Sequence, residues 1–213
     1  MISIRSFTFN ALQENTYVLY DETKECVIVD PGCYEKDEQQ ELADFIKSEH
    51  LIPKILLNTH CHVDHVLGNA FVADKYNLTV QTSKVEESQL RSVKLYAPMY
   101  GFTNYHGVET VQYIEAGDVV KFGNSQLDVL SVPGHSPGHL AFLNRIQGFC
   151  LSGDVLFRSS IGRYDLPGGD FKTLEKSIKE VIYALPNETV IYAGHGPKTD
   201  VGFEKKFNPY VKG

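Results

Sequence analysis

The sequence has little of what marks a membrane, nucleic-acid-binding or disulfide-stabilised protein. No apolar run approaches the roughly 20 residues of a membrane-spanning helix, and the first residues alternate polar and apolar side chains, unlike a signal peptide. With 27 acidic and 20 basic residues, the net charge of −7 disfavours a nucleic-acid partner. The four cysteines form no Cys-x-x-Cys pair. These absences favour a cytoplasmic protein that acts on a small molecule and binds neither nucleic acid nor membrane.

The 213 residues, 42% of them hydrophobic and 22% charged, suit a single domain spanning residues 1–213. Apolar periodicity predicts the following elements. Strands are expected at 16–21, 26–32, 53–60, 78–83, 111–135 and 189–197, a hairpin at 139–157, and helices at 35–50, 63–77 and 171–186. Residues 83–107 are interpreted as an irregular insertion, because Pro98 and Gly101 interrupt a helical pattern. This succession predicts sheets packed face to face with helices outside.

The densest group of metal-capable side chains lies in the heptapeptide THCHVDH (residues 59–65), directly after the apolar run KILLN. It places His60, His62, Asp64 and His65 at the end of a predicted buried strand. Neutral imidazole and carboxylate groups are ligands that suit zinc, iron or manganese. A lone histidine in such a loop is ordinary, whereas His-x-His-x-Asp-His after a strand specifically indicates a metal site.

Three further candidates, His135, Asp154 and His195, also follow apolar strands, and each is directly preceded by a glycine. Glycine permits the tight turn that aims the next side chain back over the sheet edge. With the heptapeptide, these residues provide five histidines and two aspartates, which are too many for one tetrahedral ion. They are enough for two divalent ions that share a carboxylate. Such a pair, about 3.5–4 Å apart, can activate a water molecule.

The sequence also resembles the metallo-β-lactamase superfamily and, within it, the glyoxalase II-like hydrolases in a short form. The motifs that carry the resemblance occur in the family's order. They are THCHVDH, PGHSPGH (133–139), LSGDVLF (151–157) and AGHGP (193–197), together with VDPG (29–32) and GRYDLPGGD (162–170). The resemblance covers nearly the whole chain. It implies an α+β fold, a four-layer αββα sandwich with the active site at one edge of the two sheets.

The resemblance further implies a role for each candidate ligand. The first metal ion would be bound by His60, His62 and His135, the second by Asp64, His65 and His195, and Asp154 would bridge the two. The implied reaction is hydrolysis of a small thioester, such as a hydroxyacyl-glutathione, by a hydroxide between the metals, with Asp64 orienting the nucleophile and the leaving group. Zinc is the expected metal, with iron or manganese as alternatives.

Residues beside the motifs have two interpretations each. Asp30 resembles a group that orients a ligand histidine, but it also fits an ordinary Asp-Pro-Gly turn. Cys61, between two candidate ligands in extended chain, is expected to point away from the metals and to be inert. His139 either supports the site or is a plain strand residue. Tyr105 and His106 lie in the expected insertion and are candidates for the mouth of the pocket.

Substrate contacts are less well defined by the sequence. Full-length glyoxalase II proteins carry a C-terminal helical domain that helps to hold glutathione, whereas only 16 residues follow Pro197 here. Their Lys-x-Tyr contact after the bridging aspartate is not matched either. Arg163 and Tyr164 are the candidate substrate contacts in this chain. Arg163 could grip a carboxylate bidentately, or it could form a salt bridge within its loop.

Two other functions compete with hydrolysis. A persulfide dioxygenase-like oxidoreductase would share the fold and the first-site residues but use one iron, and the complete second set of ligands disfavours it. A metal-stabilised binding scaffold would hold the ions without turnover. Hydrolysis of β-lactams is disfavoured, because those enzymes usually have a signal peptide and a different motif context.

Overall fold

Two six-stranded sheets packed face to face form the centre of the computed structural model, which describes residues 1–213. The first sheet contains β1 (Ser3–Phe9), β2 (Glu14–Tyr20), β3 (Glu25–Val29), β4 (Ile52–Leu57), β5 (Val80–Thr82) and β6 (Val111–Tyr113), in that spatial order. The first three strands pair antiparallel, and β3 to β6 pair parallel. The carboxyl ends of β3, β4 and β5 therefore meet at one edge of the sheet.

The second sheet has the strand order β14-β13-β10-β9-β8-β7. Its strands are β7 (Val119–Phe122), β8 (Ser125–Ser131), β9 (Leu140–Asn144), β10 (Phe149–Gly153), β13 (Val190–Ala193) and β14 (Thr199–Asp200), and a separate small hairpin joins β11 (Leu156–Phe157) to β12 (Ser160–Ile161). The strands β10 and β13 are parallel neighbours, with Leu151 opposite Tyr192. Both strands therefore deliver the residues that follow them to the same edge.

Helices cover the outer faces of both sheets. They are α1 (Lys36–Ser48), α2 (Val63–Val66), α3 (Asn69–Tyr76), α4 (Glu87–Tyr96), α5 (Phe171–Ser177) and α6 (Val201–Phe207), with 3₁₀ turns at Lys84–Glu86 and Ala97–Tyr100 and a π-helical segment at Ile178–Ile182. None of these helices combines the length and the hydrophobicity needed to cross a membrane.

Side-chain alternation in the strands explains why the layers stack in this order. In β3, Val27 and Val29 face the second sheet and join a core with residues of β8 and β9. The intervening Ile28 faces the other way and packs with Leu42 of α1. In the second sheet, Cys150 similarly faces the outer helix layer that contains Leu174. Because the central strands β2, β3, β9 and β10 bury both of their faces, the sandwich has four layers, and the predicted α+β αββα fold is confirmed.

Two expectations about local structure were wrong, and two elements were not anticipated. Residues 83–107 are not irregular, because α4 and its flanking 3₁₀ turns occupy residues 84–100. Pro98 and Gly101 lie beyond the end of α4, and Gly101 closes the second 3₁₀ turn with a φ of 90°, so these breakers end the helix rather than prevent it. The helix expected over 63–77 is divided into α2 and α3 at Gly68. The elements β14 and α6, which follow the last predicted strand, were not anticipated.

Candidate metal centre

The first group of candidate ligands brings three histidine nitrogens together at the ends of β4 and β8. His135 Nε2 lies 2.8 Å from His62 Nδ1 and 3.2 Å from His60 Nε2. The Nδ1–H of His135 donates to the carbonyl oxygen of Arg163 at 2.7 Å. That bond leaves the His135 Nε2 lone pair free to face the other two rings. Three buried ring nitrogens that converge this closely form a cradle for a cation.

The spacing of these atoms fits a metal ion. Zinc–nitrogen bonds of 2.0–2.1 Å in a tetrahedral site place neighbouring ligand nitrogens about 3.3 Å apart. The ligand atoms of His60, His62 and His135 all lie within 4.8 Å of one another. The three residues therefore fit a divalent ion without a change in backbone path.

A second group lies beside the first and contains Asp64, His65 and His195. Asp64 Oδ2 is 3.1 Å from His195 Nε2 and 3.7 Å from His65 Nε2. The other ring nitrogen of each histidine is engaged: His195 Nδ1 is 3.1 Å from the carbonyl oxygen of Gln13, and His65 Nδ1 is 3.1 Å from Asp30 Oδ2. Both Nε2 atoms therefore face the centre.

Asp154 lies between the two groups and approaches both. Its Oδ1 is 3.4 Å from His65 Nε2, and its Oδ2 is 3.5 Å from His195 Nε2 and 3.6 Å from His135 Nε2. Two atoms at this point, Asp154 Oδ1 and His65 Nε2, are buried and have no hydrogen-bond partner. Buried polar atoms are rarely left unpaired. These two atoms without a partner therefore mark a place where a shared cation fits.

The pKa shifts of the residues in the centre also favour the binding of a cation. Burial alone raises the pKa of Asp154, but the neighbouring His65, His135 and His195 lower it to well below the usual range. Burial lowers the pKa of His65, yet Asp154 and Asp64 raise it above its ordinary value. Burial, together with His135, lowers the pKa of His62 to about 3. The lowered pKa values favour ionised carboxylates at Asp64 and Asp154 and neutral imidazoles at His60 and His62, which are the states that metal ligands need.

Glycines allow the strand ends to approach this closely. Gly153 has a φ of 49°, and a Cβ there would lie 2.5 Å from both His139 Cε1 and Thr59 Oγ1. A Cβ at Gly194 would collide with Asp154 Oδ1. The prediction that glycines aim the following residues over the sheet edge is therefore confirmed at these two positions.

The residues that surround the predicted ligands hold them in orientation. Asp30 accepts hydrogen bonds from Thr59 N at 2.7 Å and Thr59 Oγ1 at 2.6 Å, besides its contact with His65. His139 stacks on His60 with ring centroids 4.6 Å apart, and its Nε2 accepts a hydrogen bond from Asp154 N at 3.1 Å. Of the two interpretations given to each, Asp30 and His139 thus match the supporting one.

Glu86 is the supporting residue that sequence reasoning missed. Its side chain is fully buried and accepts hydrogen bonds from two backbone amides, Cys61 N at 2.9 Å and Gly138 N at 2.7 Å. One carboxylate thus joins the two loops that carry His60, His62 and His135. No pattern in the sequence singles it out, because its neighbour Glu87 is chemically identical and partly exposed.

A cavity of 720 Å³ opens beside the centre. Its walls include Asp64, Asp154 and three of the histidines, residues of α4, and apolar side chains from several loops. They are Leu12, His62, Val63, Asp64, Gln89, Ser92, Tyr96, Met99, Tyr100, His135, Asp154, Phe157, Ser160, Ile161, Arg163, Leu166, Pro167 and His195. All seven predicted ligands are therefore brought together at or beside one cavity, and their role as ligands stays a prediction.

Of the residues predicted to contact the substrate or to line the mouth of the pocket, only Arg163 lines the cavity. Arg163 lines the cavity but forms a bidentate pair with Asp165, with both nitrogen–oxygen distances at 2.8 Å. Tyr164 does not line the cavity and instead packs on Phe171 at 5.0 Å between ring centroids. Tyr105 and His106 are likewise absent from the walls. The candidates from the 83–107 segment were therefore misplaced, because it is α4 that faces the cavity.

The cysteines take no part in the centre. Cys61 Sγ lies 3.7 Å from Thr82 Oγ1, away from the converging nitrogens, and burial raises the pKa of its thiol well above the ordinary value. All four cysteines are free and buried. The expectation that Cys61 is buried and points away from the predicted ligands is confirmed, and its inertness stays a prediction.

Comparison with known proteins places these observations in a family. Residues 9–195 match the model of the metallo-beta-lactamase superfamily. Hydroxyacylglutathione hydrolase GloC of Haemophilus influenzae is 32% identical over 99% of this chain and 98% of its own length. A probable metallo-hydrolase of Bacillus subtilis, YqgX, is 34% identical over 98% of this chain and 97% of its own length.

Three solved structures share this fold, and the name of one of them states an activity. The BLEG-1 B3 metallo-beta-lactamase superposes with a TM-score of 0.88 and 32% identity, covering 99% of this chain and 100% of that one. The di-iron-bound form of TTHA1623 gives 0.87 and 37%, covering 97% and 100%. ETHE1 from Myxococcus xanthus gives 0.79 and 25%, covering 98% and 84%.

Proposed function

The chain belongs to the metallo-β-lactamase superfamily, and on that premise we propose that it is a binuclear metal-dependent hydrolase of small thioesters, with hydroxyacyl-glutathione as the first substrate to test. The observation that carries this proposal is the position of Asp154, whose two carboxylate oxygens lie 3.4–3.6 Å from histidines of both ligand groups. A carboxylate in that position suits two ions better than one.

The residues present would hold the two ions in distinct ways. The first group, His60, His62 and His135, is all imidazole, whereas the second adds the carboxylate of Asp64. Divalent cations bound there would supply Lewis acidity toward a carbonyl oxygen and a lowered pKa of water. Zinc, iron and manganese all suit this nitrogen and oxygen donor set, and the similarity to a di-iron protein supports testing iron beside zinc.

The protein itself orients the ligand histidines and does not supply a proton donor from them. Each ring nitrogen of His135, His65 and His195 that faces away from the centre is already bonded to a protein oxygen. With a metal ion bound at each Nε2, these rings would have no proton available for a leaving group. A thiolate leaves near neutral pH with little need for protonation, because a free thiol has a pKa of about 8.5. A thioester accordingly suits this site better than an amide does.

The decisive experiment measures hydrolysis of S-lactoylglutathione by protein whose metal content has been determined, beside a sample stripped by a chelator. We expect turnover that scales with occupancy of two ions per chain and returns when zinc or iron is restored. A chromogenic β-lactam serves as the comparison substrate, given the similarity to BLEG-1. Turnover of the β-lactam alone would refute the thioester proposal.

An oxidoreductase is the alternative that the similarity to ETHE1 supports. A persulfide dioxygenase-like activity would use one iron bound by the first group. It would show as one iron per chain, oxygen consumption and sulfite formation with glutathione persulfide. Those results, together with no release of thiol from S-lactoylglutathione, would replace the hydrolase proposal.

A further inference from the structure

The cavity wall formed by α4 is polar, although the helix is apolar where it meets the core. Gln89, Ser92 and Tyr96, spaced three and four residues apart, all line the cavity. The adjoining face presents Leu90 and Val93 to a buried apolar cluster, against which the Tyr96 ring also packs. This division follows the helical period. The three polar side chains therefore form part of the cavity wall and are not simply an exposed polar face of the helix.

The hydrogen bonds of these three polar side chains show which of them has a donor left for a ligand. Ser92 Oγ donates to the backbone oxygen of Gln89 at 2.8 Å, so its hydrogen is used within the helix. The side-chain amide Nε2 of Gln89 donates to the Tyr96 hydroxyl oxygen at 2.7 Å. The Tyr96 hydroxyl hydrogen has no acceptor in the protein. Tyr96 is thus a donor that Gln89 holds in place and that the cavity leaves unused.

The chemistry of this wall selects an uncharged oxygen. Gln89, Ser92 and Tyr96 are all neutral, and Arg163, the one Lys or Arg side chain lining the cavity, is already paired with Asp165. Burial raises the pKa of the Tyr96 hydroxyl well above its ordinary value, and the nearby Asp64 carboxylate raises it further. Tyr96 therefore stays protonated. A neutral donor near carboxylates pairs better with a hydroxyl than with a second carboxylate.

The position of Tyr96 in the cavity indicates which hydroxyl group of a substrate it would contact. Tyr96 lines the same cavity as Asp64 and Asp154, and the carbonyl that reacts has to lie over the two ligand groups. With the carbonyl there, the substituent on the neighbouring carbon would lie in the cavity that Tyr96 lines. We propose that Tyr96, held by Gln89, is a specificity-determining residue that donates a hydrogen bond to the hydroxyl group of a 2-hydroxyacyl thioester. This inference rests on the proposed function and narrows its substrate class.

The test compares two substrates that differ only in that hydroxyl, S-lactoylglutathione and S-propionylglutathione. We expect the wild type to favour the lactoyl compound in kcat/KM. Loss of one neutral hydrogen bond in Tyr96→Phe should reduce that preference about three- to tenfold, with the propionyl rate almost unchanged. Tyr105→Phe is the matched control, because its hydroxyl is buried without a partner and lies outside the cavity walls. Metal content and the thermal unfolding midpoint are measured for each variant.

The outcomes separate the two levels of the proposal. A parallel fall for both substrates in Tyr96→Phe, or a wild type that does not discriminate between them, would refute the role of Tyr96 while leaving thioester hydrolysis intact. A fully metal-loaded wild type that hydrolyses neither compound would refute the proposed function and this inference with it. A selective loss for the lactoyl substrate alone, absent in Tyr105→Phe, would support the assignment.

Discussion

Replacing Glu86 with alanine should weaken both the fold and the metal centre. Its buried carboxylate accepts hydrogen bonds from Cys61 N and Gly138 N, and neither amide donates to any other acceptor. An unsatisfied buried donor costs about 1–3 kcal/mol. Two such donors should therefore reduce the free energy of unfolding by about 4 kcal/mol, a large share of the roughly 5–15 kcal/mol that stabilises a typical domain.

The same substitution should loosen the ligands. Cys61 lies between His60 and His62, and Gly138 is three residues after His135, so the carboxylate fixes the relative position of the two loops that form the first group. Removing outer residues that orient ligands typically reduces metal affinity about 10- to 100-fold. Glu86→Gln keeps one acceptor oxygen and should give an intermediate loss in both quantities.

Urea unfolding of the metal-free protein and a zinc titration against a competing chelator measure these two effects separately. Glu87→Ala is the matched control, because it removes the same side chain from the next position, where it pairs with Arg91 at the surface. We expect that control to behave almost as the wild type does. A Glu86→Ala protein that unfolds within about 1 kcal/mol of the wild type and binds zinc equally well would show that the carboxylate does not organise the loops.

Two further predictions concern other carboxylates. Asp154→Ala should lose both metal occupancy and activity, measured by mass spectrometry and thiol release; retention of two ions and full turnover would contradict its bridging role. Burial raises the pKa of Asp21, but hydrogen bonds from Thr23, Ser125 and Asn124 lower it to about 2, beneath the unfolded value near 3.9. Its stabilisation is therefore present above pH 4 and lost as pH falls toward 2. Against Asp21→Asn, the wild type should be more stable by about 2.6 kcal/mol at pH 7 and about 1.3 kcal/mol at pH 3; a gap independent of pH would refute this.

The sequence predicted the site more completely than it predicted the elements around it. The predicted ligands follow apolar strands, and strands aligned in two packed sheets bring such residues to one edge. Local pattern and tertiary position therefore agree for His60, His135, Asp154 and His195. The supporting role of Asp30 was also accessible, because it too directly follows a strand.

What the sequence did not reveal depends on contacts between distant segments. Nothing in the order of residues distinguishes buried Glu86 from Glu87, since only the packing of the 3₁₀ turn against two loops decides which one is enclosed. The same limit applies to α4, where Pro98 and Gly101 suggested disruption but act beyond its last residue. Tyr96 acquires its significance only from Gln89, whose amide reaches it across the helix face.

The ligands are divided between the two halves of the sandwich. His60, His62, Asp64 and His65 extend from the first sheet, whereas His135, Asp154 and His195 extend from the second. Bound ions would consequently act as cross-links, each adding up to about 4 kcal/mol at a free concentration a thousand times its dissociation constant. The thermal stability of this protein would then depend on the concentration of free metal around it. Loss of the ions would weaken the packing between the two sheets and abolish activity at the same time.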